Sequence, residues 1–170
     1  MDVTDDRALV ITDAGPLIHL DELDCLDLLA TFRRILVPEA VWREVECHRP
    51  QALLRADIKL ERIGVDNPDP RVDTLARTFV LHTGEREALG LIEQFPDALF
   101  LTDDSAARLA AMALSVRVHG SIGMILRSLR LGQRSRKEVV QLLRDLPLRS
   151  TLFIKPSLLA EIISEIESPL

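Results

Sequence analysis

The chain has 170 residues, 47% of them hydrophobic and 28% charged, with a mean hydropathy of +0.13. That is long enough for one domain with its own core and too apolar for a disordered chain, and no apolar run approaches the roughly 18 to 20 residues that span a bilayer. The net charge of −6 is uneven: residues 1–107 hold 11 Lys/Arg against 22 Asp/Glu, whereas residues 108–149 hold nine against Glu138 and Asp145. An acidic body with one basic segment is expected where a cation site and a polyanion surface share a molecule, although a solvated arginine face gives the same count. The opening MDVTDDRALV sets Asp2, Asp5 and Asp6 before its first apolar stretch, the wrong charge for a secretory signal. Cys25 and Cys47 are too few for a disulfide framework or a four-ligand zinc site. A cytoplasmic protein with no membrane contact is the expectation.

In chain order, Ala8 to Ile11 reads as a buried strand that ends at Thr12-Asp13, and Leu17 to Ala30 as a helix bent around Asp21–Asp24. Ile35 to Val37 is a second strand; Pro38 opens a helix to about Cys47, stopped by His48-Arg49-Pro50. A short helix over Gln51–Ala56 and a strand within Ile58–Val65 follow, then a loop at Asn67-Pro68-Asp69-Pro70. Val72–Leu81 and Thr83–Phe95 read as helices, the second with Thr83 as N-cap and Glu85 and Glu87 in its first turn. Ala98–Leu101 is a strand ending in Thr102-Asp103-Asp104; Ala106–Leu114 is a helix, Val116–Val118 a strand, and Ser121–Leu131 a helix closed by Gly132. Arg136–Leu146 and Ser157–Glu167 are the last helices.

Strands that are apolar throughout and separated by helices predict an α/β fold, a three-layer α/β/α sandwich around a parallel sheet. Residues 1–150 form its body, and residues 151–170 an amphipathic helix that packs on it or on another chain. In such sheets ligands bind beyond the carboxyl ends of the strands. Two strands end in acids there, Asp13 and the pair Asp103-Asp104. At about 100° per residue, Glu44 lies beside the inward stripe marked by Val41 and Val45, and Glu85 falls inside the apolar arc of its helix with Glu87 at the margin. Carboxylates gathered in one pocket repel unless protonated or neutralised, and a hard divalent ion such as Mg²⁺ or Mn²⁺ neutralises them with oxygen ligands. Taken singly, each acid also suits a helix cap or a solvated face.

ITDAGPLIHL, VPEAVWREV, TGEREALGL and LFLTDDSAARLAA, in that order, resemble the four acidic motifs of PIN-domain nucleases, over about residues 8–130. The resemblance is to a prokaryotic branch with a G-E-x-E-A helix start and a D-D-x-x-A-R run, related to VapC-type toxins, and Val118 to Gly123 matches its next segment. It implies a PIN-like α/β/α fold and metal-dependent hydrolysis of RNA to 5′-phosphate and 3′-hydroxyl ends. Matched by position, Asp13, Glu44, Glu85 and Asp104 are the catalytic acids. Asp13, Asp104 and Glu85 are also the metal ligands, with Asp103 the alternative fourth acid and Glu87 the alternative third. Ala14 stands where many relatives carry a small hydroxyl residue.

On this reading one or two Mg²⁺ or Mn²⁺ ions acidify water and stabilise charge on the scissile phosphate. Thr102 orients Asp104 or a metal-bound water from behind, and Arg108, Arg127, Arg130 and Arg134 contact RNA phosphates. A toxin role implies an antitoxin partner, and a homodimer is expected; the rival is a catalytically inactive PIN-like module that binds RNA or protein. Two other acid-at-strand-end folds do not fit. A phosphoacceptor receiver needs a lysine at a late strand end, and the lysines are Lys59, Lys137 and Lys155; a haloacid-dehalogenase-type phosphatase needs Asp where Gly15 stands. His19, His48, His82 and His119 have no ligand spacing and read as loop, cap or core residues. Trp42 reads as a packing residue, and with no Tyr and five Phe the composition argues against base-stacking platforms.

Overall fold

The computed structural model describes residues 8–66 and 69–168, so the acidic N-terminal stretch and Asn67-Pro68 of the predicted loop lie outside the described residues. Five strands, β1 (Leu9–Thr12), β2 (Arg34–Pro38), β3 (Leu60–Ile63), β4 (Leu99–Leu101) and β5 (Arg117–His119), form one sheet in the order β3-β2-β1-β4-β5. Every neighbouring pair is parallel, with Thr12 opposite Leu101 at the β1–β4 seam. Eight α-helices are described: α1 (Ala14–Glu22), α2 (Glu39–His48), α3 (Pro70–Thr78), α4 (Thr83–Gln94), α5 (Ser105–Ala113), α6 (Ser121–Arg130), α7 (Arg136–Arg149) and α8 (Pro156–Glu167).

The strands read as apolar throughout because both sheet faces are covered. Val10, Ile35, Val37, Leu99 and Leu101 point into one core with residues of α1, α2, α6 and α7, while Ile11, Leu36 and Phe100 point into another with residues of α3, α4 and α5. The expected three layers are therefore present. Chain order runs from β1 outward through β2 and β3 on one side and through β4 and β5 on the other. The reversal leaves a crevice at the carboxyl ends of β1 and β4.

Several boundaries differ from those predicted, each for a local reason. The first helix starts at Ala14, because the Asp13 carboxylate accepts its N–H at 2.8 Å, and ends at Glu22 ahead of Asp24, whose φ of +53° is left-handed. Leu26–Thr31 and Pro50–Leu54 are 3-10 turns instead of α-helix. The N-cap of α4 is His82, not Thr83, and α7 continues to Arg149 with Pro147 in its last turn. The apolar stripe of α8 closes the first core: Leu159 is buried, and Ile162, Ile163 and Ile166 pack against it. Among the described residues no helix is long and apolar enough to cross a membrane.

Candidate active site

The sheet register brings two acidic strand ends together. The Asp13 N–H donates to the Leu101 carbonyl at 2.8 Å, carrying the β1–β4 pairing one residue past the strand and setting Asp13 beside Thr102. The Thr102 hydroxyl then donates to Asp13 Oδ2 at 3.1 Å and accepts the Asp104 N–H at 3.1 Å. One buried hydroxyl thus ties both acids into one frame. Thr102 supports Asp13 through its carboxylate and Asp104 through its backbone, a wider role than the sequence suggested. Asp104 is exposed and caps α5, its Oδ1 accepting the Ala107 N–H at 2.7 Å.

The other two acids come from helices on either side. Gly84, in the first turn of α4, lets α2 approach closely: a Cβ there would meet Val41 Cγ2 at 3.0 Å and lie 3.8 Å from Glu44 Oε2. Glu44 on α2 and Glu85 on α4 therefore face the same space. Glu85 is buried, and its Oε2 accepts the His82 N–H at 2.7 Å, the reciprocal bond of a capping box. Asp13, Glu44, Glu85 and Asp104 line one open cleft of about 370 Å³ at the carboxyl edge of the sheet. A larger hollow, about 580 Å³, opens around Ala8, Leu9, Phe95 and Ala98 but carries a single acid, Asp97.

The two alternative acids are engaged elsewhere. Consecutive residues leaving a strand point apart. Asp103 turns towards the start of α6, where its carboxylate accepts the Ser121 N–H at 2.7 Å and the Ser121 hydroxyl at 2.5 Å and pairs with His19 Nδ1 at 2.8 Å. Gly120 leaves room for that contact, since a Cβ there would sit 2.6 Å from Asp103 Oδ1. Asp103 touches the cleft wall with its hydrogen-bonding capacity largely spent. Glu87 points to α2 and accepts the Ala40 N–H at 2.7 Å, satisfying one of the open donors of that helix, and is not in the cleft lining.

Electrostatics single out Asp13. Burial pushes its carboxyl up from the ordinary range to about 7, against the opposing pull of the Ala14 N–H, with Glu85, then Glu44, adding repulsion. Glu85 is also raised, by burial first and then by the Asp104 charge, against the His82 N–H bond. Among the described residues no three Asp, Glu, His or Cys side chains are already drawn together so as to hold a metal ion. The cleft nonetheless suits a hard cation. Its acids offer only oxygen donors, and the Asp13 charge is one that burial disfavours without a positive partner.

The predicted phosphate-binding arginines separate. Arg127 is 3% exposed, donates to Thr31 Oγ1 at 3.0 Å and lies over the Phe32 ring at 4.7 Å, so it is a core cation and not a nucleic-acid contact. Arg134 is half-buried and paired with Asp27 at 2.6 Å, which ties it to the body of the fold. Arg108, also half-buried, donates to the Thr102 carbonyl at 3.2 Å, while Arg130 is exposed at the end of α6. Trp42 packs against the first core, with the Arg62 guanidinium 5.6 Å from its ring centre.

A family model described as a PIN domain (DUF3368) matches residues 9–168, nearly the whole chain. The chain belongs to the PIN-domain family. Neither a curated protein nor a solved structure matches it. PIN domains are generally nucleases, and this PIN domain keeps an acidic cleft at the sheet edge where its topology opens a crevice. Two features of the cleft had no sequence signal. His19 and Ser121 hold Asp103, and Thr151, Leu152 and Phe153, between α7 and α8, form part of the cleft wall.

Proposed function

We propose that this PIN domain is a metal-dependent endoribonuclease. The observation that carries the reading is the convergence of Asp13, Glu44, Glu85 and Asp104, from four separate elements, on one cleft at the carboxyl edge of the sheet, with Asp13 and Glu85 buried. Asp13, Asp104 and Glu85 are the residues that would hold Mg²⁺ or Mn²⁺, with Glu44 completing the acid set. Bound there, such an ion would supply Lewis acidity towards the scissile phosphate and an acidified water for in-line attack. The protein's share is preorganisation. The Ala14 N–H and the Thr102 hydroxyl each hold one oxygen of Asp13, the Ala107 N–H holds Asp104, and the His82 N–H holds Glu85. Of the basic-segment residues, Arg108 is the one held beside the acids, its guanidinium donating to the Thr102 carbonyl at 3.2 Å.

The test is cleavage of a labelled single-stranded RNA pool in Mg²⁺ or Mn²⁺, with the D13A/D104A double variant as control. Loss of cleavage in the double variant is expected, and equal cleavage by both proteins overturns the reading. A non-cutting PIN module that binds RNA or a protein is the second reading; it predicts no cleavage by either protein. A toxin role predicts growth arrest on expression, relieved by co-expressing an antitoxin, and soluble protein without arrest contradicts it.

A further inference from the structure

The segment 150–155 between α7 and α8 has no regular structure, yet it is firmly attached. Glu22, at the end of α1, accepts the Ser150 hydroxyl at 3.0 Å, the Thr151 N–H at 2.7 Å and the Thr151 hydroxyl at 3.1 Å. The Ser150 hydroxyl in turn accepts the Leu152 N–H at 3.2 Å. Leu152 and Ile154 pack against the first core, and Phe153 between them stands out in solvent, 83% exposed. Phe32 and Phe100 are buried, and Phe79 and Phe95 pack against the cores. A large apolar ring held outward on an anchored backbone, at the lip of the acid-lined cleft, has no role in the packing of the fold.

Against the expectation drawn from the scarcity of aromatic residues, we propose that Phe153 is a stacking platform for a nucleobase of a single-stranded substrate whose phosphate enters the acidic cleft. The proposal rests on the nuclease reading for the identity of the polymer. The chemistry favours stacking here because the protein is acidic and its cleft repels phosphate. Of the arginines expected to counter that repulsion, Arg127 is in the core and Arg134 is paired with Asp27. Contact between a phenyl ring and a base face needs no charge, tolerates any base, and is available only in an unpaired strand. Anchoring the backbone in advance keeps the ordering penalty on binding small.

The experiment uses a D13N background, which blocks turnover and removes one negative charge from the cleft, and a fluorescein-labelled uridine oligonucleotide read by anisotropy. D13N/F153A should bind about 5-fold to 100-fold more weakly than D13N, the range that loss of one stacked base produces. D13N/F153W should restore affinity and D13N/F153L should not. The slope of log affinity against log salt should be the same in all four, because no ionic contact changes. Equal affinity of D13N and D13N/F153A, or full rescue by leucine, overturns the proposal. Equal affinity together with loss of a protein partner by F153A would reassign the ring to a protein interface. These readings are independent of cleavage. Phe153-dependent binding without wild-type cleavage defeats the nuclease reading alone, and wild-type cleavage with Phe153-independent binding defeats stacking alone.

Discussion

Replacing Asp13 by Asn should stabilise the metal-free protein, by an amount that grows from about pH 4 and levels off above about pH 7. The Asp13 carboxyl is held near 7 in the fold by burial, against 3.8 as its ordinary value. A raised acid pKa means the folded state prefers the neutral form. The stability this provides is fully present below about pH 4 and is lost as pH rises through 7. The shift corresponds to about 4 kcal/mol as an upper bound at pH 8, and relaxation and water entry reduce it to about half that. Asparagine keeps an oxygen for the Ala14 N–H and carries no charge. In EDTA, D13N should therefore melt above wild type by about 5–10 °C at pH 8, taking roughly 2–4 °C per kcal/mol for a chain of this size. The gap should close as pH falls towards 4. Adding Mn²⁺ should raise the wild-type melting temperature and leave D13N nearly unmoved, because the cation neutralises the charge the mutation removes. Thermal melts at pH 4 to 8, with EDTA and then with Mn²⁺, read all of this. A D13N gap that is absent at pH 8, or equally large at pH 4, refutes the burial argument.

Other substitutions separate structural from catalytic roles. E85Q keeps an acceptor for the His82 N–H and removes a carboxyl whose pKa burial has raised, so its metal-free melt should match or exceed wild type above pH 5, while its gain from Mn²⁺ and its RNA cleavage fall. R127M should destabilise by about 1–3 kcal/mol, read by denaturant titration, through loss of the Phe32 contact and the Thr31 hydrogen bond, yet leave oligonucleotide affinity within about twofold. A tenfold loss of affinity in folded R127M would return that residue to the nucleic-acid surface. G120A should also cost about 1–3 kcal/mol, because its Cβ would press on Asp103 Oδ1 at 2.6 Å and on the Thr102 carbonyl at 3.1 Å. A G120A melt equal to wild type would show that the Asp103–Ser121 contact tolerates displacement.

The layers and the sheet edge were legible because their signals are local. Runs such as Leu99-Phe100-Leu101 have no polar side to turn outward, so both faces had to be covered, and an acid directly after such a run has to sit at the strand's carboxyl end. Glu85 was legible from helical angle alone, since it lies in the same arc as Ala88, Leu89 and Ile92, all buried. The arginines were not legible. Arg127 belongs to a helix whose buried residues include Met124, Ile125 and Ser128, and only the position of Phe32 on another element decides that its guanidinium stays inside.

Asp103 and Asp104 mark the limit of sequence reading most clearly. Side by side after one strand, they have the same chemistry and nearly the same distance to every motif. What separates them is tertiary: α1 supplies His19 and α6 supplies the Ser121 N–H and hydroxyl, and all three converge on Asp103 alone. Asp104 is left with one cap bond and an open face to the cleft. The same logic governs the strap at 150–155. Its sequence shows an alternation of Leu152, Phe153 and Ile154, but the partner that fixes it, Glu22, lies well over a hundred residues earlier. Side chains that form a site from one element can be read from the pattern of that element. Those whose role depends on what a distant helix does with its neighbour become readable only when the chain is folded.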